Sequence, residues 1–340
     1  VKKPEVSVIM PVYNAAPYLR EALDSIVAQT FENWELILLN DGSTDDSLQI
    51  AHSYTDPRIK ILDSETNNGL IYQLNRGMEA AQGRYIARLD ADDVAMDNRL
   101  QMQFNYLENH PEIGLVGGHA EVLGTNELLS HNQKHDDILM ELLHRNAFIH
   151  STVMFRKSIF GCINGGFDTN YKHAEDYRMW QLFAGITKLS NLPEVLIKYR
   201  VHEQQVSAKH ATGLLDSADR VRLQFIASSL NITLSREQEN LHLALIQGNA
   251  FHWNPNIVNA WVKTLIRSNR QNPFFEAYHF EGYLQGCFKR YVRGYYLWNN
   301  QCRNLADWIK GMPLMRRYLS FKEIGSIAKN ILLRNQTHGK

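Results

Sequence analysis

An α/β fold, a mostly parallel sheet flanked by helices and followed by a helical C-terminal region, is predicted by three observations. Apolar runs rich in branched residues alternate with segments of helical period, in the order strand, helix, strand, helix, strand, which is the pattern of a parallel sheet covered on both faces. Each run stops at a loop rich in Pro, Asn, Asp or Gly, and ligands of such sheets bind beyond the carboxyl ends of the strands. The last part of the chain shows helical periodicity alone, over 214–230, 237–246, 257–266 and 274–291.

Val6-Ser7-Val8-Ile9-Met10-Pro11-Val12 is apolar and reads as a buried strand ended by Pro11. Tyr13-Asn14-Ala15-Ala16-Pro17 turns into a helix on which Leu19, Leu23, Ile26 and Val27 recur at helical spacing, with Glu21 and Asp24 outward. Trp34-Glu35-Leu36-Ile37-Leu38-Leu39 is a second strand and ends abruptly in Asn40-Asp41-Gly42-Ser43-Thr44-Asp45-Asp46-Ser47. A helical period resumes at Leu48, and Ile59-Lys60-Ile61-Leu62 is a third strand. Gly83-Arg84-Tyr85-Ile86-Ala87 alternates like a strand and delivers Arg88-Leu89-Asp90-Ala91-Asp92-Asp93 at its end. A helix over 97–107 with Met102, Phe104 and Leu107 inward follows, then two strands, 114–118 and 120–123, with a bend between them. An amphipathic helix begins at His135. A strand is expected over 149–155, and a helix opened by Glu175-Asp176 packs Tyr177, Trp180 and Leu182 on the sheet.

With 340 residues, 44% hydrophobic and 21% charged, the composition is that of a soluble globular protein of two compact units. No apolar run is long enough to span a bilayer. The start, Val1-Lys2-Lys3-Pro4-Glu5, shows no signal-peptide pattern, so cytoplasmic residence is expected. Cys162, Cys287 and Cys302 lack metal-ligand spacing and are expected as reduced thiols. Residues 201–340 hold 18 Lys+Arg against 9 Asp+Glu, and residues 1–200 hold 18 against 27. The basic end, with Phe288-Lys289-Arg290-Tyr291-Val292-Arg293-Gly294-Tyr295-Tyr296-Leu297-Trp298, Trp308, Arg316-Arg317-Tyr318 and Lys329, fits a membrane headgroup layer, a helical cap or a homodimer surface. Nucleic acid is not an expected partner.

Three carboxylates in the four residues Asp90 to Asp93 repel one another, so a cation belongs beside them, and a hard divalent ion suits carboxylate oxygens. A helix cap leading into Asp97-Asn98-Arg99-Leu100 explains the same acids without a metal.

Pro11-Val12-Tyr13-Asn14, Asn40-Asp41-Gly42-Ser43-Thr44-Asp45, Asn67-Asn68-Gly69, Asn75-Arg76-Gly77, Gly83-Arg84-Tyr85-Ile86 and Asp90-Ala91-Asp92-Asp93 occur in the order and rough spacing of family 2 glycosyltransferases, which have the GT-A nucleotide-diphospho-sugar transferase fold. The resemblance covers about the first 205 residues and implies a GT-A domain over 1–207 and a helical region over 208–340. One departure is Asn40, where many members carry an acid.

The resemblance assigns Pro11, Val12 and Tyr13 to the nucleobase wall, Asp41 to the imide N–H of the base, and Asn68 and Gly69 to a loop closing over the nucleotide. It places Asp90 and Ala91 on the ribose or base side, Asp92 on a Mn²⁺ or Mg²⁺ ion bridging the diphosphate, and Asp93 in support of the loop. It makes Asp176 the general base with Glu175 beside it, and brings His202 of Tyr199-Arg200-Val201-His202 to the metal or diphosphate. Taken alone, Asp41-Gly42-Ser43 is an Asx turn, Asn68-Gly69 a common turn, and Glu175-Asp176 a helix start. His150 faces the sugar site or is an ordinary core histidine.

The Gln-x-x-Arg-Trp signature of processive synthases is absent, which favours transfer of one sugar. The resemblance implies an inverting, metal-dependent transfer from a nucleotide-sugar donor, UDP-linked first of all, to a saccharide hydroxyl in bacterial surface-polysaccharide synthesis. The acceptor could be carried on a polyprenyl diphosphate, with the enzyme peripheral at the inner face of the cell membrane. Two rivals stand beside it: a sugar-phosphate nucleotidyltransferase and a non-catalytic nucleotide-sugar binding module.

Overall fold

The strands β1 (Val6–Val12), β2 (Trp34–Asp41), β3 (Ile59–Ser64) and β4 (Tyr85–Arg88) are parallel neighbours in the order β3-β2-β1-β4. Because both faces of β1 and β2 are covered, the runs are mostly apolar rather than alternating, and the Ser7 hydroxyl donates to Glu35 Oε1 at 2.6 Å. Val6, Val8, Met10 and Val12 point to the side packed by Leu19, Leu23 and Ile26 of helix α1 (Ala16–Val27). Ile9 and Leu39 point to the side of α3 (Leu70–Ala80), where a Cβ on Gly77 would stand 2.8 Å from Ile9 Cγ2, so only glycine lets this helix lie so close to the sheet. A short helix, α2 (Ser47–His52), joins β2 to β3. Val27, expected inward, is exposed, because the buried face of α1 ends at Ile26.

The computed structural model describes residues 3–125, 127–202, 211–248, 252–297 and 305–337. The chain divides into two units, 1–221 and 222–340. The boundary expected at 207/208 lies outside the described residues.

The rest of the first unit completes one mixed sheet. It holds β5 (Val94–Ala95), α4 (Arg99–Asn109), β6 (Ile113–Val122), β7 (Leu128–Leu129), α5 (His135–Leu142), β8 (Met154–Arg156), α6 (Lys157–Phe160), α7 (Glu175–Ala184) and β9 (Lys188–Tyr199). The order continues β4-β8-β6-β9-β5 with β7 paired to β6. β8 is antiparallel to β4 and β6, and β9 is parallel to β6.

Four local expectations change. The segment 149–155 is not one strand: His150–Thr152 form a 3₁₀ turn and only Met154–Arg156 pair, because the Ser151 hydroxyl turns toward Asp90. The two strands expected over 114–123 are one, and the bend is a set of register shifts against β9 near Gly117 and His119. On α4 the innermost positions are Arg99, Leu100, Gln103 and Leu107, while Met102 and Phe104 are half-buried. Leu182 is likewise half-buried, and Phe183 takes the inner place on α7.

The second unit is helical. Helix α8 (Ala211–Leu230) crosses the division, and α9 (Arg236–Gln247), α10 (Pro255–Gln271), α11 (Ala277–Leu297), α12 (Leu305–Tyr318) and α13 (Phe321–Thr337) follow. A capping box between Ser235 and Gln238 starts α9, and Gly248 at φ +65° ends it. Phe288, Tyr291 and Tyr296, candidates for an interfacial surface or a helical cap, form with Val292 the buried face of α11, with Lys289, Arg290 and Arg293 outside. The Tyr291 hydroxyl donates to the Trp253 carbonyl at 2.8 Å. Trp298 and the side chain of Trp308 lie outside the described residues.

Candidate active site

The carboxyl ends of β2, β1 and β4 lie side by side. Val12 pairs with Asn40, Asp41 with Ser64, and the Leu89 N–H donates to the Ile9 carbonyl. Neighbouring strands are about 4.8 Å apart, so the ends of β2 and β4 flank Val12-Tyr13 at a separation on the order of 10 Å. That edge is wide enough for a nucleotide. Tyr13 is 52% exposed there and Pro11 half-buried, whereas Val12 and Ala91 are core residues whose side chains face away from solvent. Any contact from those two is made by their backbone.

The first two loops are stitched together. Asn14, at φ +50°, accepts the Thr44 N–H at 2.8 Å, and its own N–H donates to Ser43 Oγ at 3.0 Å. The N–H groups opening α1 donate to Ser47 Oγ (Ala15, 2.8 Å) and Asp45 Oδ2 (Ala16, 2.9 Å). The helix with no side-chain cap of its own is therefore capped by the 40–47 loop. Asp41 is 4% exposed and accepts the N–H of Asn68 (2.8 Å), the N–H of Gly69 (2.9 Å) and Gln73 Nε2 (2.7 Å). A carboxylate has about four acceptor positions, so Asp41 anchors the 68–69 loop and keeps roughly one for a ligand. Asn40 reaches Asp63 Oδ1 at 2.7 Å.

The acidic loop is offset by two buried arginines that sequence reading missed. Arg88, 3% exposed, donates to the Ile9 and Leu89 carbonyls and to Asp90 Oδ1. Arg99, fully buried, donates to the Arg88 carbonyl at 2.7 Å and to Gln103 Oε1 at 3.0 Å, and Gln103 in turn holds the Val116 and Thr152 carbonyls. Nothing in the periodicity marks these two as inward, since arginine is ordinarily a surface residue. Burial pushes the Asp90 carboxyl up, but Arg88, His150 and the Ser151 hydroxyl (2.7 Å) outweigh it and hold it below the ordinary range. Asp93 is fully buried and accepts the Arg200 N–H at 3.0 Å, tying the loop to the end of β9. Burial, Asp90 and Asp92 push its carboxyl up to about 8. The repulsion among three acids is thus largely met by protein groups, and Asp92 is the acid left to face a metal.

Asp92 Oδ2 stands 2.8 Å from His202 Nε2. Burial and the neighbouring Asp90 raise the Asp92 carboxyl. The His202 ring packs 4.7 Å from Tyr18, whose other neighbour is the Arg200 guanidinium at 4.8 Å; Arg200 also donates to the Asp92 carbonyl and to Glu21. Two adjacent ligands of an octahedral ion with bonds of about 2.1 Å lie roughly 3 Å apart, so this pair fits one side of a Mn²⁺ or Mg²⁺ ion. No group of three metal-ligating side chains occurs among the described residues, so the remaining positions would fall to substrate oxygens and water.

Asp176, in the first turn of α7, accepts Asn146 Nδ2 at 2.7 Å and the Tyr177 N–H at 2.6 Å. Its carboxylate is 17% exposed and lies 3.9 Å from His150 Nδ1. Glu175 is buried, and burial together with Asp176 pushes its carboxyl up to about 7. Burial and Arg88 lower His150, while Asp176 of α7 and Asp90 of the acidic loop act in the opposite sense. An edge-on contact with Trp180 at 5.9 Å fixes its ring. Asn146 and Ser151 were also missed, although Ser151 adjoins a histidine already singled out.

A nucleotide-wide edge, an acidic loop and a second carboxylate on a neighbouring helix define a transferase of the GT-A class. Residues 7–167 match the family model described as glycosyl transferase family 2. The chain is 34% identical over 244 residues to an uncharacterized glycosyltransferase of Haemophilus influenzae, covering 67% of this chain and 75% of that one. It is 30% identical over 206 residues to the UDP-Glc:alpha-D-GlcNAc-diphosphoundecaprenol beta-1,3-glucosyltransferase WfgD of Escherichia coli, covering 60% and 79%. Among solved structures, S. aureus TarS 1-349 in complex with UDP-GlcNAc aligns with a TM-score of 0.60 at 19% identity, over 87% of this chain and 92% of that one. The mannosyltransferase PcManGT from Pyrobaculum calidifontis, in complex with GDP-Man and Mn2+, aligns at 0.53 and 18% identity, over 88% and 89%. The chain belongs to glycosyltransferase family 2. It is therefore an enzyme that transfers sugar, which sets aside both rivals.

Proposed function

We propose that the enzyme moves one sugar from UDP to a saccharide hydroxyl with inversion, on an acceptor carried by a polyprenyl diphosphate in bacterial surface-polysaccharide synthesis. The observation that supports this reading best is that His150, 3.9 Å from the Asp176 carboxylate of α7, also feels the charge of Asp90 in the acidic loop. Tyr13 and Pro11 would wall the base, the loop held by Asp41 would close on the nucleotide through Asn68 and Gly69, and Asp90 would meet the ribose. Asp92 and His202 would hold the divalent ion, whose chemistry when bound would be Lewis-acid neutralisation of charge on the departing diphosphate. Asp176 takes the proton of the acceptor hydroxyl as its oxygen bonds to the anomeric carbon opposite the diphosphate; the glycosidic bond to UDP breaks and the configuration inverts. Asn146 and the Tyr177 N–H hold that carboxylate in place.

WfgD, by its name, acts on a diphosphoundecaprenol-linked sugar with UDP-Glc, which supports both the donor and the acceptor class. PcManGT was solved with Mn2+, which supports the metal. Among the described residues no helix is long and apolar enough to cross a membrane. A lipid-linked acceptor would be met at the inner face of the membrane. A thermal-shift screen of nucleotide sugars with and without Mn²⁺ tests the reading, because a ligand that binds only the folded state raises the melting temperature. UDP-sugars should stabilise the chain more with the metal than without; no response to any nucleotide sugar would refute the proposal.

A further inference from the structure

The turn between α12 and α13 presents bare apolar side chains among cations. On α12 the exposed residues Ile309, Lys310, Pro313, Arg316 and Arg317 fall within about a third of the helix circumference, and the buried Gly311, Met315 and Leu319 lie opposite. On α13, Phe321, Lys322 and Lys329 are exposed, with Ile327 buried on the other side. Phe321 is 91% exposed and Ile309 58%.

Between residues 309 and 329 there is one carboxylate, Glu323, and it is already engaged. Arg293 of α11 donates to it at 2.6 Å, and the Ser320 N–H and hydroxyl do so at 2.8 Å each. The Glu323 N–H donates back to Ser320 Oγ at 3.3 Å, which completes a capping box. The corner is therefore pinned by its cap and by α11, and Phe321, in the first turn of α13, is held outward by the backbone rather than by chance rotation.

We propose that this corner docks on a bilayer surface bearing anionic phospholipid, with Phe321 entering the headgroup layer and Lys310, Arg316, Arg317, Lys322 and Lys329 facing lipid phosphates. Five cations with no free acid between them match a phosphate-rich plane, and a phenyl ring gains there what it lacks in water. A second copy of the chain is the poorer occupant, because a symmetric contact would set the same cations against each other. This extends the lipid-linked acceptor reading. The test uses vesicles without donor or acceptor, so it succeeds or fails independently of the transfer reaction.

Co-sedimentation of the full chain should be measured with vesicles of phosphatidylcholine alone and of phosphatidylcholine with phosphatidylglycerol. Binding to the anionic vesicles only, weakened by high salt, is expected. Arg316→Glu with Arg317→Glu should lower that binding at least about tenfold, and Phe321→Ser about fivefold, with the melting curve of each variant unchanged. Absence of binding to either vesicle, equal binding to both, or variants that bind like the wild type would overturn the proposal. So would a wild-type dimer that Phe321→Ser separates.

Discussion

At the scale of single residues, Glu175 and Asp176 are neighbours in sequence with unlike surroundings. Glu175 is enclosed and its carboxyl is raised to about 7, while Asp176 is partly open and held by two donors. The His150 ring stands 3.9 Å from the Asp176 carboxylate; under the proposed mechanism His150→Ala should lower kcat by roughly 10- to 100-fold with little change in UDP affinity, as expected when a reacting group is displaced by about an ångström. A kcat equal to that of the wild type would remove His150 from the site. Asp92→Asn should abolish transfer at saturating Mn²⁺ and erase the metal-dependent part of the UDP-sugar thermal shift, with the metal-free melting curve unchanged; near-normal turnover would remove Asp92 from the mechanism. Acids at strand ends were legible in the sequence because they break apolar runs. Arg88 and Arg99 were not, because an inward arginine has no periodic signature and is revealed only by the carbonyls it finds.

At the scale of elements, the parallel half of the sheet was legible because its strands are mostly apolar runs between turn residues, interrupted only by Ser7 in Val6–Val12 and by Glu35 before the polar end of Trp34–Asp41. The antiparallel half was less so. The short pairing of Met154–Arg156 and the long irregular pairing of β6 with β9 depend on distant partners, and the 3₁₀ turn at His150–Thr152 depends on Asp90. The loops at the nucleotide edge lean on one glycine. Gly42 has φ +67°, and a Cβ there would stand 2.6 Å from the Thr66 carbonyl carbon. Gly42→Ala should therefore shift the 66–69 loop away from Asp41, lowering stability by about 1–3 kcal/mol and weakening UDP binding. Calorimetric melting and titration would check both, and an unchanged UDP affinity would mean that this loop does not close on the nucleotide.

At the scale of the whole molecule, the excess of acids before residue 200 and of bases after it was plain in the sequence, but the use of the aromatics was not. With lysine and arginine between them, Phe288, Tyr291 and Tyr296 suited a membrane surface, a helical cap or a dimer surface equally, and the helical period places them in the core. His242, also in that core, is 1% exposed with neither ring nitrogen bonded among the described residues, and burial pushes it down to about 4. A histidine held neutral in the folded state contributes stability that is fully present above its ordinary value of 6.5 and is lost as pH falls toward 4. Between pH 7 and pH 5 the loss should be about 2 kcal/mol. His242→Leu should flatten the melting temperature over that range, and a profile as steep as that of the wild type would contradict the assignment. The proposed transfer requires one crevice to serve both donor and acceptor, and donor turnover by Asp176→Asn tests this most directly. With UDP-sugar, Mn²⁺ and a polyprenyl-diphosphate-linked saccharide, UDP release should fall about 10³-fold while UDP affinity stays within about threefold; turnover near the wild-type rate would contradict the account.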